Sequence, residues 1–207
     1  MAPRLRSAAW AVLVLFCVAL PVTAALAPAR AQEPGFAQGM LLVAAPEMPD
    51  PRFAETVIYM VSHDATGAFG LVLNRPLGTG PIGDLLLNFE IEDDTVVGDI
   101  AVHYGGPVEV DLGFVLHSAD YLRKDTIVVD KTFAMTSDPQ VLRDIGTGKG
   151  PKQAFFAMGY SGWGPGQLER EMATRSWFTV PAEEGLVFDA DTRTKWERAS
   201  AKRGHDL

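Results

Sequence analysis

Ser161 sits in Gly159-Tyr160-Ser161-Gly162-Trp163, one residue away from the G-x-S-x-G pattern that thrusts a nucleophilic serine out of a strand-to-helix turn. The flanks have the right order, with an apolar run from Ala154 to Met158 before it and an amphipathic segment after it. Trp163 stands where the second glycine belongs. The acid and base would have to be Asp189 or Asp191 with His205, and His205 lies close to the chain end, a poor place for a rigid base. Ser161 is thus a weak catalytic candidate. The plainer reading makes it a turn residue between two glycines.

His63, His103 and His117, together with Asp64, Asp111 or Asp120, are the remaining groups with ligand chemistry. None has the i,i+4 or short-loop spacing of a zinc site, so the histidines read as hydrogen-bonded or solvated residues at strand ends. Gly105-Gly106-Pro107 offers backbone N–H groups to an anion, but Pro107 has none to give and no helix starts there. A sharp chain reversal accounts for the triplet better. No metal and no cofactor is implied.

The densest run of unusual residues is 153–181. Gly159, Gly162, Gly164 and Gly166 indicate a tight turn in which backbone approaches something closely. Pro165 suits the first turn of a following helix, with Glu169 and Glu171 near its positive end and Leu168 and Met172 sharing a face. Tyr160, Trp163, Trp177 and Phe178 fall within this one unit. An exposed Trp163 in its glycine setting would anchor a partner or an apolar ligand.

The elements that must position these residues follow in order. Met40–Ala44 reads as a buried strand, and Pro46, Pro49 and Pro51 force an extended, helix-free connector. Thr56–Val61 and Phe69–Leu73 form a hairpin closed by Asn74-Arg75-Pro76-Leu77. A helix with Ile82, Leu85, Leu86 and Phe89 on one face precedes an acidic loop at Glu90–Asp94. Strands follow at Ile100–Tyr104, Leu112–His117, Thr126–Val129 and Thr132–Met135. Ser137-Asp138-Pro139 starts a helix that stops at Gly146-Thr147-Gly148. Beyond Trp177–Val180, Leu186–Phe188 reads as a short strand, and Asp191 caps a last helix ending at Gly204. Strands come in runs with few helices between them, so the fold class is α+β with a largely antiparallel sheet.

At 207 residues the chain suits one domain. Arg4 and Arg6, the apolar run Ala8–Leu20 and the small-x-small site Ala29-Arg30-Ala31 have the order of a secretory signal peptide cleaved after Ala31. The expected domains are therefore a leader, 1–31, and a single domain, 32–207. The apolar run is shorter than the ~20 residues a span needs, so no stable membrane span is expected after cleavage. Cys17 is the one cysteine and lies in the leader, leaving a mature chain without disulfides or thiolates. The formal charge is −8, and the leader holds Arg4, Arg6 and Arg30 but no acid, so the mature chain stands near −11. Such a balance makes a nucleic-acid partner unlikely on electrostatic grounds.

Three segments together resemble the YqgE/AlgH family: GMLLVAAPEMPDPRFAETVIYMVSHDATGAFGLVLNRPL from Gly39, HYGGPVEVDLGFVLHS from His103, and FAMGYSGWGPGQLEREMATRSWFTVPA from Phe156. The resemblance spans roughly residues 37 to 205. It implies a single α+β domain with curled β-sheets packed against a few short helices. It implies no established activity, no catalytic set and no cofactor, and the regulator label of some members is indirect. The motif positions not readily explained as core are Asn74, Arg75, Gly105, Gly106, His117, Ser161, Gly162, Trp163, Gly166, Gln167, Glu169 and Trp177. The expected function is a non-catalytic, exported, periplasmic binding or regulatory domain. Its site joins the Gly159–Gln167 turn, the Gly105–Pro107 turn and the Asn74-Arg75 corner, and its partner is a protein or a small anionic ligand met through Arg75. The alternatives are a serine hydrolase built on Ser161 and, were the leader a gene-start artefact, a cytoplasmic transcriptional regulator.

Overall fold

The computed structural model describes residues 37–203; the expected leader and cleavage site, His205 and the helix end expected at Gly204 lie outside the described residues. The described residues all fall within one compact unit. Its strands are β1 (Met40–Ala44), β2 (Val57–Asp64), β3 (Gly67–Val72), β4 (Pro76–Pro81), β5 (Asp99–Tyr104), β6 (Val108–Ser118), β7 (Thr126–Val128), β8 (Phe133–Thr136), β9 (Ala154–Trp163) and β10 (Trp177–Pro181). The helices are short: α1 (Ile82–Leu87), α2 (Gln140–Gly146), α3 (Gln167–Ala173), α4 (Glu184–Val187) and α5 (Lys195–Ser200). The sheet runs β10-β1-β2-β3-β9-β6-β8-β7, with β5 pairing β9 and β4 pairing β5. Among the described residues β5 and β9 pair in parallel and the other ladders are antiparallel. This curled, largely antiparallel sheet with a few short helices is the α+β class read from the sequence.

Strand β9 organises the sheet. One edge pairs with β6 from Ala154 to Tyr160. The other edge is shared: Phe156–Met158 pair with β5, and Ser161–Trp163 pair with β3. The sheet therefore forks at Gly159-Tyr160. Gly105 and Gly106 leave β5 at this fork, where the chain lies backbone to backbone with β9. The Gly105 N–H donates to the Met158 carbonyl at 2.7 Å, and the Gly105 carbonyl accepts from Val72 N–H at 2.9 Å. A Cβ on Gly105 would sit 2.2 Å from the Gly159 oxygen, and one on Gly106 2.1 Å from the Tyr160 carbonyl carbon. No side chain fits there.

Alternation along the strands feeds three cores. Leu41, Val43, Tyr59 and Leu71 face one, with Phe133, Leu186 and Ala199; Leu42, Ala44, Ile58 and Met60 face a second, with Trp163, Leu168 and Trp177. Burial of both faces is why β1 reads as an unbroken apolar run. The third core lies under α1 and α2, where Ile82, Leu86, Val141 and Leu142 meet Ile100 and Phe156.

Several elements differ from the sequence reading, each for a local reason. The first half of the glycine-rich stretch is not a turn: β9 continues to Trp163, because β6 pairs it as far as Tyr160 and β3 pairs Ser161–Trp163. Pro76–Pro81 forms a strand despite its glycines and prolines, held by its ladder to β5. The proline connector contains a single 3-10 turn, Pro51–Phe53, started by Asp50, whose carboxylate accepts from the Arg52 N–H. Leu186 and Val187 are helical rather than extended, with Phe188 capping α4, and the carbonyls of both accept from Lys195. Asp191 accepts from the hydroxyl of Thr194, and α5 begins only after that, at Lys195. Among the described residues no helix is long and apolar enough to cross a membrane.

Candidate functional site

Most of the motif residues are consumed by the fork and its surroundings. Ser161 is buried inside β9, its hydroxyl 3.4 Å from the Gly105 carbonyl. It does not sit on a strand-to-helix elbow. Of its suggested partners, Asp189 is paired with Arg198 and Asp191 holds Thr194. Asn74 closes the β2–β3 hairpin: its Oδ1 accepts from Val57 N–H at 2.9 Å, and its amide donates to the Glu55 carbonyl at 2.7 Å. Arg75 donates to Thr56 Oγ1 at 2.9 Å and to the Ala54 carbonyl at 3.3 Å.

His117 is fully buried and satisfied on both nitrogens. Its Nδ1 meets the Ser118 carbonyl and its Nε2 meets Thr136 Oγ1, each at 2.9 Å. Burial holds its pKa below the ordinary histidine value, so it is a neutral core residue. His63 accepts from the Ala37 N–H through Nδ1 and faces Glu169 of α3, with Nε2 and Oε1 3.4 Å apart. His103 stacks on Phe155 with ring centroids 4.5 Å apart. The three histidines do not converge, and among the described residues no group of three His, Cys, Asp or Glu side chains is arranged to hold a metal.

Four of the remaining motif residues, Gly162, Trp163, Gln167 and Trp177, meet at one cavity. Gly162, Trp163, Gln167, Glu171, Ser176 and Trp177 line it from β9, α3 and β10; Pro107 lines it from the β5–β6 turn, and Met48, Pro49, Asp50, Arg52 and Phe53 from the 3-10 turn. Its volume is about 270 Å³. Trp163 and Trp177 are only 7% and 4% exposed, so Trp163 is not the projecting anchor its glycine neighbours suggest. Both indoles can be buried because one carboxylate satisfies them: Glu171 Oε2 accepts from both Nε1–H groups at 2.9 Å. Glu171 Oε1 accepts from the Gln167 amide at 2.9 Å, and Gln167 in turn accepts from the Gly164 N–H at 3.2 Å. Gly166, left-handed with φ +67°, precedes the first residue of α3 and orients this helix. Trp177 is the hub of three perpendicular rings, 5.5 Å from Phe53 and 6.1 Å from Trp163.

Glu171 is the residue that sequence reasoning passed over. Its i,i+4 spacing from Gln167 and its position between two tryptophans were visible, but the convergence was not. Asn74 and Arg75 do not reach this cavity. They line a separate hollow of about 250 Å³ with Ala54, Glu55, Arg193, Trp196 and Glu197. The three-part site expected from the sequence is therefore divided: Gly162, Trp163 and Gln167 share one cavity with Pro107, and the Asn74-Arg75 corner lies at another. The tryptophan cavity carries Asp50 and Glu171 against Arg52, which is itself paired with Asp50 at 2.7 Å. It has no free positive charge for an anion.

A forked, curled and mostly antiparallel sheet with an indole-lined cavity beside the fork defines an α+β architecture. A family model described as AlgH-like matches residues 41–207. A UPF0301 protein of Methylobacterium sp. (strain 4-46) is 42% identical over 181 residues, covering 84% of this chain and 86% of the relative. Another, from Rhodospirillum rubrum, is 43% identical over 172 residues, covering 83% and 90%. The solution structure of the AlgH protein from Pseudomonas aeruginosa superposes with a TM-score of 0.71 at 35% identity, covering 84% of this chain and 93% of that one. A crystal structure of a Corynebacterium diphtheriae protein shares the fold, with a TM-score of 0.61 at 23% identity over 78% of this chain and 84% of that one. The chain belongs to the AlgH-like family of UPF0301 proteins.

Proposed function

We propose that this chain is an exported, non-catalytic binding domain, and that the tryptophan cavity receives an apolar side chain from a protein partner. The observation that carries this reading is the cavity itself. Phe53, Trp163 and Trp177 give it an apolar wall, while Glu171, itself held by the Gln167 amide, satisfies both indole N–H groups without filling the space. Preformed apolar hollows rimmed by polar groups are where anchor residues dock. A protein partner suits this chemistry better than an anion, because the carboxylates of Asp50 and Glu171 border it. Export rests on the leader sequence. A regulatory role would act through that partner.

The test uses an exposed rim residue, so that folding is left intact. The 32–207 protein is crosslinked to a periplasmic and envelope extract beside its Gln167→Arg variant, with the endogenous protein weighed intact from both cell fractions. A periplasmic mass beginning at Gln32, with a captured species lost in the variant, is the expected result. Identical capture by both proteins removes the cavity from the interface, and a full-length cytoplasmic mass removes export.

A further inference from the structure

The hollow between the Asn74-Arg75 corner and the start of α5 shares no residue with the tryptophan cavity. We propose that it binds a free α-amino acid with an apolar side chain. Its volume is about 250 Å³. A cavity of roughly 150 Å³ already accommodates benzene, so a molecule the size of leucine fits.

The charges select the ligand class. Arg75 and Arg193 line the hollow together with Glu55 and Glu197, two positive groups and two negative ones. Among the described residues none of these four forms an ion pair, while Arg52, Arg123, Arg143 and Arg198 all do. A purely anionic ligand would meet the two carboxylates, and a purely cationic one the two guanidinium groups. An α-amino acid carries one charge of each sign on a single carbon. It has no net charge, so it also escapes the repulsion that a chain of formal charge −8 exerts on anions.

The recognising groups are set before a ligand arrives. Arg75 is half-buried, and its Nη2 donates to Thr56 Oγ1 at 2.9 Å and to the Ala54 carbonyl at 3.3 Å. These bonds fix the guanidinium. Its Nη1 and Nε have no hydrogen-bond partner among the described residues and remain for a carboxylate. Glu55 is left-handed, with φ +53°, a backbone angle at which glycine would be unstrained. The chain carries a carboxylate there instead, and Asn74 pins it by donating to the Glu55 carbonyl at 2.7 Å. Strain of this kind gathers at ligand-binding positions.

Trp196 supplies the apolar surface. Its indole N–H is already given to the Ala44 carbonyl at 2.9 Å, so the half-buried ring offers the hollow only aromatic carbon. That contact favours an apolar amino-acid side chain over a polar one.

The test titrates leucine, 4-methylpentanoate and 3-methylbutylamine into ¹⁵N-labelled protein while the Trp196 indole and Arg75 Nε–H signals are followed. The second probe is leucine without its ammonium, and the third is leucine without its carboxylate. Leucine should shift both signals saturably. It should bind at least about tenfold tighter than either analogue, since each lacks one set of charged hydrogen bonds. Arg193→Gln should weaken leucine and 4-methylpentanoate roughly threefold and leave 3-methylbutylamine unchanged. Glu197→Gln should weaken leucine and 3-methylbutylamine and leave 4-methylpentanoate unchanged. Both side chains are exposed, so neither variant disturbs folding. Equal affinity for leucine and 4-methylpentanoate would reduce the hollow to a plain anion site and overturn the proposal. So would the absence of a saturable shift with leucine, or affinities that neither substitution moves.

Discussion

At the fork of the sheet, Gly105, Gly106 and Ser161 meet a second strand, and the contact is backbone against backbone. At the tryptophan cavity, Trp163, Gln167 and Trp177 meet a helix and a 3-10 turn, and the contact is side chain against side chain around open space. Both groups come from the same glycine- and aromatic-rich motifs. The first group has no volume to offer a ligand, since Gly105 and Gly106 are the spacing between strands. The second has volume because Glu171 ties both indoles back and leaves the space beside them unfilled. Unusual residues in a sequence therefore mark places where the chain is constrained, and only some of those places are sites.

The comparison breaks most readily at the fork. Gly106→Ala would place a methyl 2.1 Å from the Tyr160 backbone, so a loss of stability on the order of 4 kcal/mol or more, or no folded protein, is expected in denaturant unfolding. Gly164→Ala, with nothing within 4 Å of its Cβ, should stay within ~0.5 kcal/mol of the parent. At the cavity, Glu171→Ala strands two indole N–H groups and should cost ~2–4 kcal/mol, read with a change in tryptophan fluorescence. An unchanged melting curve would mean that the indoles do not depend on the carboxylate. Asn74→Ala, which removes the acceptor of the Val57 N–H, should cost ~1–3 kcal/mol without affecting partner capture. That would place Asn74 with the fork, among residues spent on structure.

The smallest effect is on pH. Burial lowers the His117 pKa in the folded chain below its unfolded value, so the unfolded chain binds more protons as pH falls through about 6.5. The stabilisation is complete above that value and is lost on acidification toward the folded pKa. Between pH 7 and 5 the parent should therefore lose more stability than His117→Gln. His103 contributes with the same sign in both proteins. Equal slopes would show that His117 is not the neutral core residue described here.

Local pattern alone was enough for the α+β class, for most strand positions and for the starts of α1 and α2, because apolar alternation and capping residues act over a few neighbours. Asp138, for instance, accepts from the Gln140 N–H as its place before Pro139 suggests. It was not enough for Gly159–Trp163, where glycine chemistry reads as a turn and long-range pairing on both strand edges makes a strand. Nor did it separate Arg75 from Trp163, or bring Glu171 between two indoles, Phe53 across from Trp177, or His103 against Phe155. Those arrangements depend on which strands share β9, and that is settled by hydrogen bonds and packing between residues far apart in the chain. A sequence specifies such contacts only through the fold they jointly stabilise, so they become legible only once the fold is formed.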